Sequence, residues 1–174
     1  NSINYACCLN NQGVDLLVSG ESSRAMKVFQ SSLSLLKKAD DEADKTTSYT
    51  EFNEVSCNGA SLPFRESAST VSGLQSLHCY VYDHGIIISG NVSGDTVKTM
   101  SLYIAIVLFN SALASHSEGT ALGRDKSLMK ASVLYSLVVK FLTSCTMLDD
   151  TSSTILTLLA LNNKAQIHYD QCEY

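Results

Sequence analysis

Apolar side chains recur every three or four positions along most of this chain, and a polar middle section interrupts them. Such spacing places the apolar residues on one face of an α-helix. A first helix is predicted up to Gly20, and a second, which Ser22 or Ser23 can cap, runs to Lys38. Three more helical stretches are predicted after the polar section. The pattern therefore predicts five helices, four of which form two antiparallel pairs.

The section between Thr46 and Val97 is different, because serine, threonine, glycine and asparagine dominate it, as they do in loops. Within it, Leu77 to Ser89 is rich in β-branched and aromatic residues, which predicts one long strand or a short hairpin. The expected fold class is therefore mainly α, with antiparallel helix pairs and a loop-rich insert that contains one or two short β-strands. A long insert in a compact domain often carries function.

The helix pairs repeat one spacing. A small residue on the first helix is followed by a glycine seven positions later, and the second helix carries an alanine and then an aromatic residue four positions on. These residues are Gly13, Gly20, Ala25 and Phe29 in the first unit, Ala112, Gly119, Ala131 and Tyr135 in the second, and Ala165 in the third. Asn11, Asn110 and Asn163 each stand two residues before the small residue. One supersecondary unit is therefore used two and a half times.

These positions resemble the tetratricopeptide repeat (TPR) family, which places small, turn, alanine and aromatic residues in this order. The first unit matches at all four positions, and the second matches with a loop about seven residues longer. The small residues would let paired helices approach closely, and the aromatic residues would fill the gap. The resemblance implies one TPR-like helical domain over residues 1–174. Its expected parts are a helix pair at 5–42, the insert at 43–97, a pair at 98–148 and the first helix of a third repeat at 151–174.

TPR units usually bind peptides or protein surfaces with the concave face of their first helices. The resemblance therefore implies a protein-binding groove lined by Asn10, Val14, Leu17, Phe109, Leu113, His116, Asn162, Gln166 and Tyr169. The alternative, for Phe109 and Leu113 above all, is a place in the core. The carboxylate clamp of chaperone-binding members is not expected, because Val14, Leu113 and Gln166 replace its asparagines and Asn10 stands where a cation is needed.

Composition narrows the class of protein. The chain has 174 residues, of which 45% are hydrophobic and 17% charged, which indicates one globular domain. Its net charge is −5 and it has no basic patch, so no nucleic-acid partner is expected. Six irregularly spaced cysteines contain no CxxC, which favours buried thiols in a reducing, intracellular compartment over disulfides or zinc. We expect the cytoplasm, and an organelle stays open because the N-terminus is expected to be missing.

Two other functions stay open. An enzyme could draw a thiol, a base and a carboxylate from His78, Cys79, Asp83 and His84. Adjacent strand residues point to opposite faces, however, and a metal site here would lack a fourth ligand. The uncharged run from Thr99 to Ser117 approaches the length of a membrane span, but its polar residues favour a buried helix and no transmembrane segment is expected. The main hypothesis is a protein without enzymatic activity, cofactor or metal that binds a protein or peptide, as an interaction scaffold or a subunit of a complex.

Overall fold

The computed structural model describes residues 2–46, 82–88, 97–144 and 151–172. It contains five α-helices: α1 (Ser2–Val18), α2 (Ser22–Thr46), α3 (Val97–Leu122), α4 (Asp125–Ser144) and α5 (Thr151–Cys172). Each helix packs against the next one along the chain, and α3 also touches α1 and α5. The mainly α-helical class is confirmed for this part of the chain.

The expected β-strand is not found in residues 82–88, which have no regular secondary structure. We call this stretch the inner segment. The rest of the predicted strand, including His78 and Cys79, lies outside the described residues. The inner segment lies against helices, whose side chains take the hydrogen-bonding place that a neighbouring strand would occupy.

Each helix pair turns on a glycine in the left-handed conformation, Gly20 with φ of 77° and Gly123 with φ of 59°. At the second turn the N–H of Arg124 donates to the carbonyl of Gly119 at 2.9 Å, and a corresponding bond joins Glu21 to α1. These bonds define Schellman caps, in which the glycine avoids the steric penalty of a Cβ. Gly119 was expected at the turn, but it lies within the last turns of α3.

The additional residues of the second pair are helical and do not form the longer loop that the sequence suggested. The turn glycine follows the small residue by seven positions in the first pair and by eleven in the second, where Gly123 follows Ala112. The alanine of the second helix follows that glycine by five and by eight positions respectively. The second pair thus has four additional residues in α3 and three in α4. Because an α-helix has 3.6 residues per turn, each addition lengthens its helix by about one turn. The packing faces therefore keep their direction.

The repeat residues bring paired helices close together. A methyl group at Gly13 would overlap the ring of Phe29, and one at Gly119 would lie 2.7 Å from Cδ2 of Leu128. Five more of these residues are fully buried: Ala25, Phe29, Ala112, Ala131 and Tyr135. Ala165 on α5 is exposed, because no second helix covers it in the described part of the chain.

Helix α3 forms the centre of the core. The most apolar stretch of the chain, residues 102–109, is largely buried there, so it supplies internal packing and not an exposed interface. The span Thr99–Leu122 is long and apolar enough to cross a membrane by length and composition, and 83% of its most apolar window is buried in the fold. A mostly buried core helix of a soluble protein would pass the same test.

Candidate functional site: an asparagine-lined face

Three asparagines at equivalent repeat positions lie on one face of the first helices. Asn11 belongs to α1, Asn110 to α3 and Asn163 to α5, and each stands two residues before the small residue of its unit. We call the surface that carries them the asparagine face. The inner segment crosses this face and contacts all three helices. The repeat thus places three identical amide groups along one stretch of polypeptide.

Each asparagine binds both backbone polar groups of a single residue in the inner segment. In every pair the side-chain Oδ1 accepts the backbone N–H and Nδ2 donates to the backbone carbonyl oxygen. The pairs are Asn11 with Ile88 (2.9 and 2.9 Å), Asn110 with Ile86 (2.8 and 2.8 Å) and Asn163 with Tyr82 (2.9 and 2.8 Å). These are ordinary N–H···O distances. A primary amide offers a donor and an acceptor side by side, as a peptide residue in a β-ladder does.

The pairing also defines the path of the inner segment. The N–H and C=O groups of one residue point to the same side only where the backbone is extended, as in antiparallel pairs. Tyr82, Ile86 and Ile88 are separated by even numbers of residues, so their polar groups turn to the same side. The segment begins over α5 and ends over α1, and therefore runs opposite to the order of the repeats.

A fourth asparagine completes the centre of the network. Asn10 donates from Nδ2 to the carbonyl oxygen of Ile86 at 3.0 Å, and its Oδ1 accepts from Nδ2 of Asn110 at 2.9 Å. Asn10 and Asn110 are both fully buried. Burying an amide is costly unless it is hydrogen-bonded, and here the backbone of the inner segment supplies the missing partners. These buried amides therefore hold the backbone of the inner segment in place.

Apolar contacts fix the side chains of the inner segment. The ring of Tyr82 lies 6.1 Å from that of Phe109, measured between centroids. A Cβ on Gly85 would lie 2.8 Å from Cγ1 of Val14, so this backbone passes directly over α1. Ile86 and Ile88 are buried in the core. The asparagines thus hold the backbone while the core receives alternate side chains.

Three of the nine residues expected in the groove contact the inner segment, namely Asn10, Val14 and Phe109. Asn162 is exposed beside Asn163, with Nδ2 3.4 Å from its neighbour's Oδ1. Tyr169 is exposed as well. The remaining four residues are more enclosed: Leu17 is half-buried, and Leu113, His116 and Gln166 are buried.

A buried polar cluster adjoins the asparagine face between α3, α4 and α5. Nδ2 of Asn163 donates to the hydroxyl oxygen of Tyr135 at 3.1 Å, and Nδ1 of His116 lies 3.5 Å from the same oxygen. Burial lowers the pKa of His116, and the negative charge of Asp170 partly opposes that shift. Burial raises the pKa of Tyr135 above its usual range, so its hydroxyl stays protonated. Gln166 donates to Asp170 at 2.6 Å.

The residues of the alternative enzymatic hypothesis are described only in part. Nδ1 of His84 lies 2.7 Å from Oδ1 of its neighbour Asp83, whose side chain is largely exposed. His78 and Cys79 lie outside the described residues, so their relation to this pair is not defined. Within the described ranges, no group of three or more histidine, cysteine, aspartate or glutamate side chains is arranged to hold a metal ion.

Sequence reasoning noted the recurrence of Asn11, Asn110 and Asn163 but gave them no role. Helix packing explains the small and aromatic residues of the unit, whereas a polar amide on a buried face serves no packing purpose. An asparagine that recurs at the same position of each repeat was therefore the available signal. Comparison with family models, characterised proteins and solved structures yields no match for this chain.

Proposed function

We propose that this chain is a TPR-like protein-interaction module that binds an extended polypeptide segment on its asparagine face. One observation carries the proposal: Asn11, Asn110 and Asn163, equivalent in the repeat, each bind the N–H and C=O of one residue. A ligand held this way contributes mainly its backbone, as in β-strand addition. The inner segment is the observed example of such a ligand.

The proposed role is non-catalytic, either as an interaction scaffold or as a subunit of a larger assembly. The side chains that converge on the inner segment are amides, aliphatic groups and aromatic rings, which suit recognition. An intracellular, reducing location belongs to the same proposal. Cys7 and Cys8 are free thiols, and burial raises the pKa of Cys7 to about 11, which makes that thiol a poor nucleophile.

A library of linear twelve-residue peptides tests this proposal when it is screened against a Gly85→Val chain, in which the added side chain clashes with Val14 and frees the asparagine face. The variants below are made in that chain. We expect enriched peptides whose binding weakens about tenfold in Asn11→Ala, because that change removes two hydrogen bonds to the ligand backbone. Asn4→Ala is the matched control, since Asn4 is an exposed asparagine on the same helix α1, about two turns before Asn11. It keeps the affinity of the Gly85→Val chain.

The contradicting result is a folded chain that enriches no peptide, or peptides that bind Asn11→Ala and Asn4→Ala equally well. Circular dichroism of both variants establishes that the helices are intact. In the second case the peptides bind another surface, and the asparagine face has only a structural role.

A further inference from the structure

The inner segment occupies the place of the proposed ligand, so its side-chain environment indicates which sequences the asparagine face accepts. We propose that the face selects extended peptides with an aromatic residue at the first position, glycine at the fourth and β-branched residues at the fifth and seventh. We also propose that residues 82–88 are a tethered competitor of such a peptide from another protein. Both statements rest on the function proposed above.

Glycine at the fourth position follows from the contact between Gly85 and Val14. A Cβ there would lie 2.8 Å from Cγ1 and 2.9 Å from Cγ2 of Val14, which is closer than real Cβ contacts occur. Val14 is itself buried and cannot move aside freely. Any larger residue at this ligand position must therefore lift the backbone away from the asparagines on either side.

The apolar positions follow from burial. Ile86 and Ile88 enter the core, and Ile88 is only 3% exposed. Tyr82 stacks at an angle on Phe109, which in turn lies 5.6 Å from the ring of Tyr135. Offset aromatic contacts of this kind add to simple burial. An aromatic first residue and two branched aliphatic residues are therefore favoured.

The other positions are tolerant. Asp83 is exposed, and His84 and Ile87 are only half-buried. Asp83 and His84 contact each other, and the ring of His84 lies 5.9 Å from that of Tyr82. The second and third positions of a ligand can therefore vary, whereas the sixth favours an apolar residue because Ile87 packs against the core.

Competition follows from the hydrogen bonds. Each of the three repeat asparagines already uses its amide donor and its carbonyl acceptor on the inner segment. A second backbone cannot bind the same groups at the same time. Because the inner segment is part of the chain, its effective concentration is on the order of millimolar, and a free peptide must displace it. Wild-type chain is therefore expected to bind a matching peptide weakly.

The test uses the full chain and a fluorescein-labelled peptide with the sequence of residues 80–90, measured by fluorescence polarisation. Gly85→Val in the chain disfavours only the tethered segment, so we expect it to bind the labelled peptide about tenfold more tightly than wild type does. A peptide that itself carries Gly85→Val should fail to bind. Adding Val14→Ala to an Ile88→Ser chain, whose tethered segment is weakened at its other end, should strengthen binding of that valine peptide, because it removes the obstructing methyl groups.

Each alternative result has a separate meaning. Equal affinity of wild type and Gly85→Val would overturn the competitor, and equal binding of the glycine and valine peptides would overturn the selectivity, while the proposed function survives in both cases. A folded Gly85→Val chain that binds no library peptide at all would overturn the proposed function. Ile88→Ser weakens the tether at its other end and repeats the test. If both variants fail to fold, the inner segment is an obligatory part of the core and the competitor is disproved.

Discussion

The asparagine face and the exposed surface of α4 and α5 are opposite in character. On the first, the amide side chains of Asn10 and Asn110 are fully buried and hydrogen-bonded to each other and to the backbone of Ile86. On the second, large apolar side chains face solvent: Met129, Val133, Leu137, Leu158 and Leu161 are between 44% and 62% exposed. Burial of apolar groups is non-directional, whereas the asparagine pairs fix one backbone path. The directional surface is therefore the one for which we propose a specific binding function.

The exposed faces of the two second helices, α2 and α4, also differ in chemistry. Counted from the alanine and aromatic residue of each second helix, the positions of Met129, Val133 and Leu137 correspond to polar residues on α2, which are Ser23, Lys27 and Ser31. The two helices therefore expose the same face with opposite chemistry. The asparagines, in contrast, are identical in all three units. We therefore expect substitutions on the asparagine face to cost more folding free energy than substitutions on the exposed face of α4.

The largest effect is expected from Asn110→Ala. It leaves the buried N–H of Ile86 without its partner and removes a donor to Asn10, so the free energy of unfolding should fall by about 3 kcal/mol. Urea denaturation followed by circular dichroism measures the change. The exposed Asn4→Ala should change it by less than about 0.5 kcal/mol. A loss of less than about 1 kcal/mol for Asn110→Ala would show that water replaces the amide and that the network is not essential.

The next effect is expected from Gly13→Ala. The added methyl group overlaps the ring of Phe29, and overpacking of this kind costs about 2 kcal/mol. Alanine has the higher helix propensity by about 1 kcal/mol, so a neutral or stabilising result would contradict the close approach of α1 and α2. Gly20→Ala is the comparison, since its left-handed φ alone predicts a loss of about 1 kcal/mol. Thermal melting of wild type, Gly13→Ala and Gly20→Ala ranks their stabilities.

These glycines also show how far the sequence could predict the fold. The five helices, the small residue Gly13 and the aromatic Phe29 follow from spacing, because helix packing repeats with the helical period. Gly119 was misplaced because an added helical turn on each of α3 and α4 looks, in sequence, like a longer loop. Spacing alone does not distinguish seven loop residues from two turns of helix.

The site was less predictable than the fold. The TPR resemblance predicts a groove for another protein, whereas the structure brings Asn10, Val14 and Phe109 against the inner segment of the same chain, which was expected to form part of a strand or hairpin. The side chains of α1 and α5 that bind its backbone lie 76 to 81 residues away in sequence. No local pattern reports a contact of that range, so Asn163 was seen as a repeat position and not as a ligand-binding group.

A smaller loss is expected from Asn11→Ala. Asn11 is only half-buried, so water can partly replace its bonds to Ile88, and the free energy of unfolding should fall by about 1 kcal/mol. The same urea titration measures it beside Asn110→Ala. A loss as large as that of Asn110→Ala would mean that the three asparagines act cooperatively and not according to their burial.

A pH-dependent effect is expected from His116. Because burial holds its pKa below the ordinary value, the unfolded chain takes up a proton at a higher pH than the folded chain does. Stability should therefore fall as the pH falls through about 6.5, the ordinary value for histidine. His116→Asn should reduce this dependence between pH 7.5 and 5.5, whereas His168→Asn, an exposed change on α5, serves as the control. An unchanged pH dependence in His116→Asn would contradict the burial argument.

The smallest effect on stability is expected from Val133→Lys. The side chain is 59% exposed, and α2 already carries lysine at the equivalent position, Lys27. The free energy of unfolding should change by less than about 0.5 kcal/mol, while light scattering should show less self-association at high concentration. A loss of about 2 kcal/mol or more would mean that this face is buried against another part of the folded protein.

Amide hydrogen exchange of the inner segment, followed by NMR, tests the central claim most directly. If the three repeat asparagines hold the backbone, the amides of Tyr82, Ile86 and Ile88 exchange slowly. Those of Asp83, Gly85 and Ile87 lack a hydrogen-bond acceptor among the described residues and exchange fast. Uniform protection along residues 82–88, or none at any position, would contradict the account.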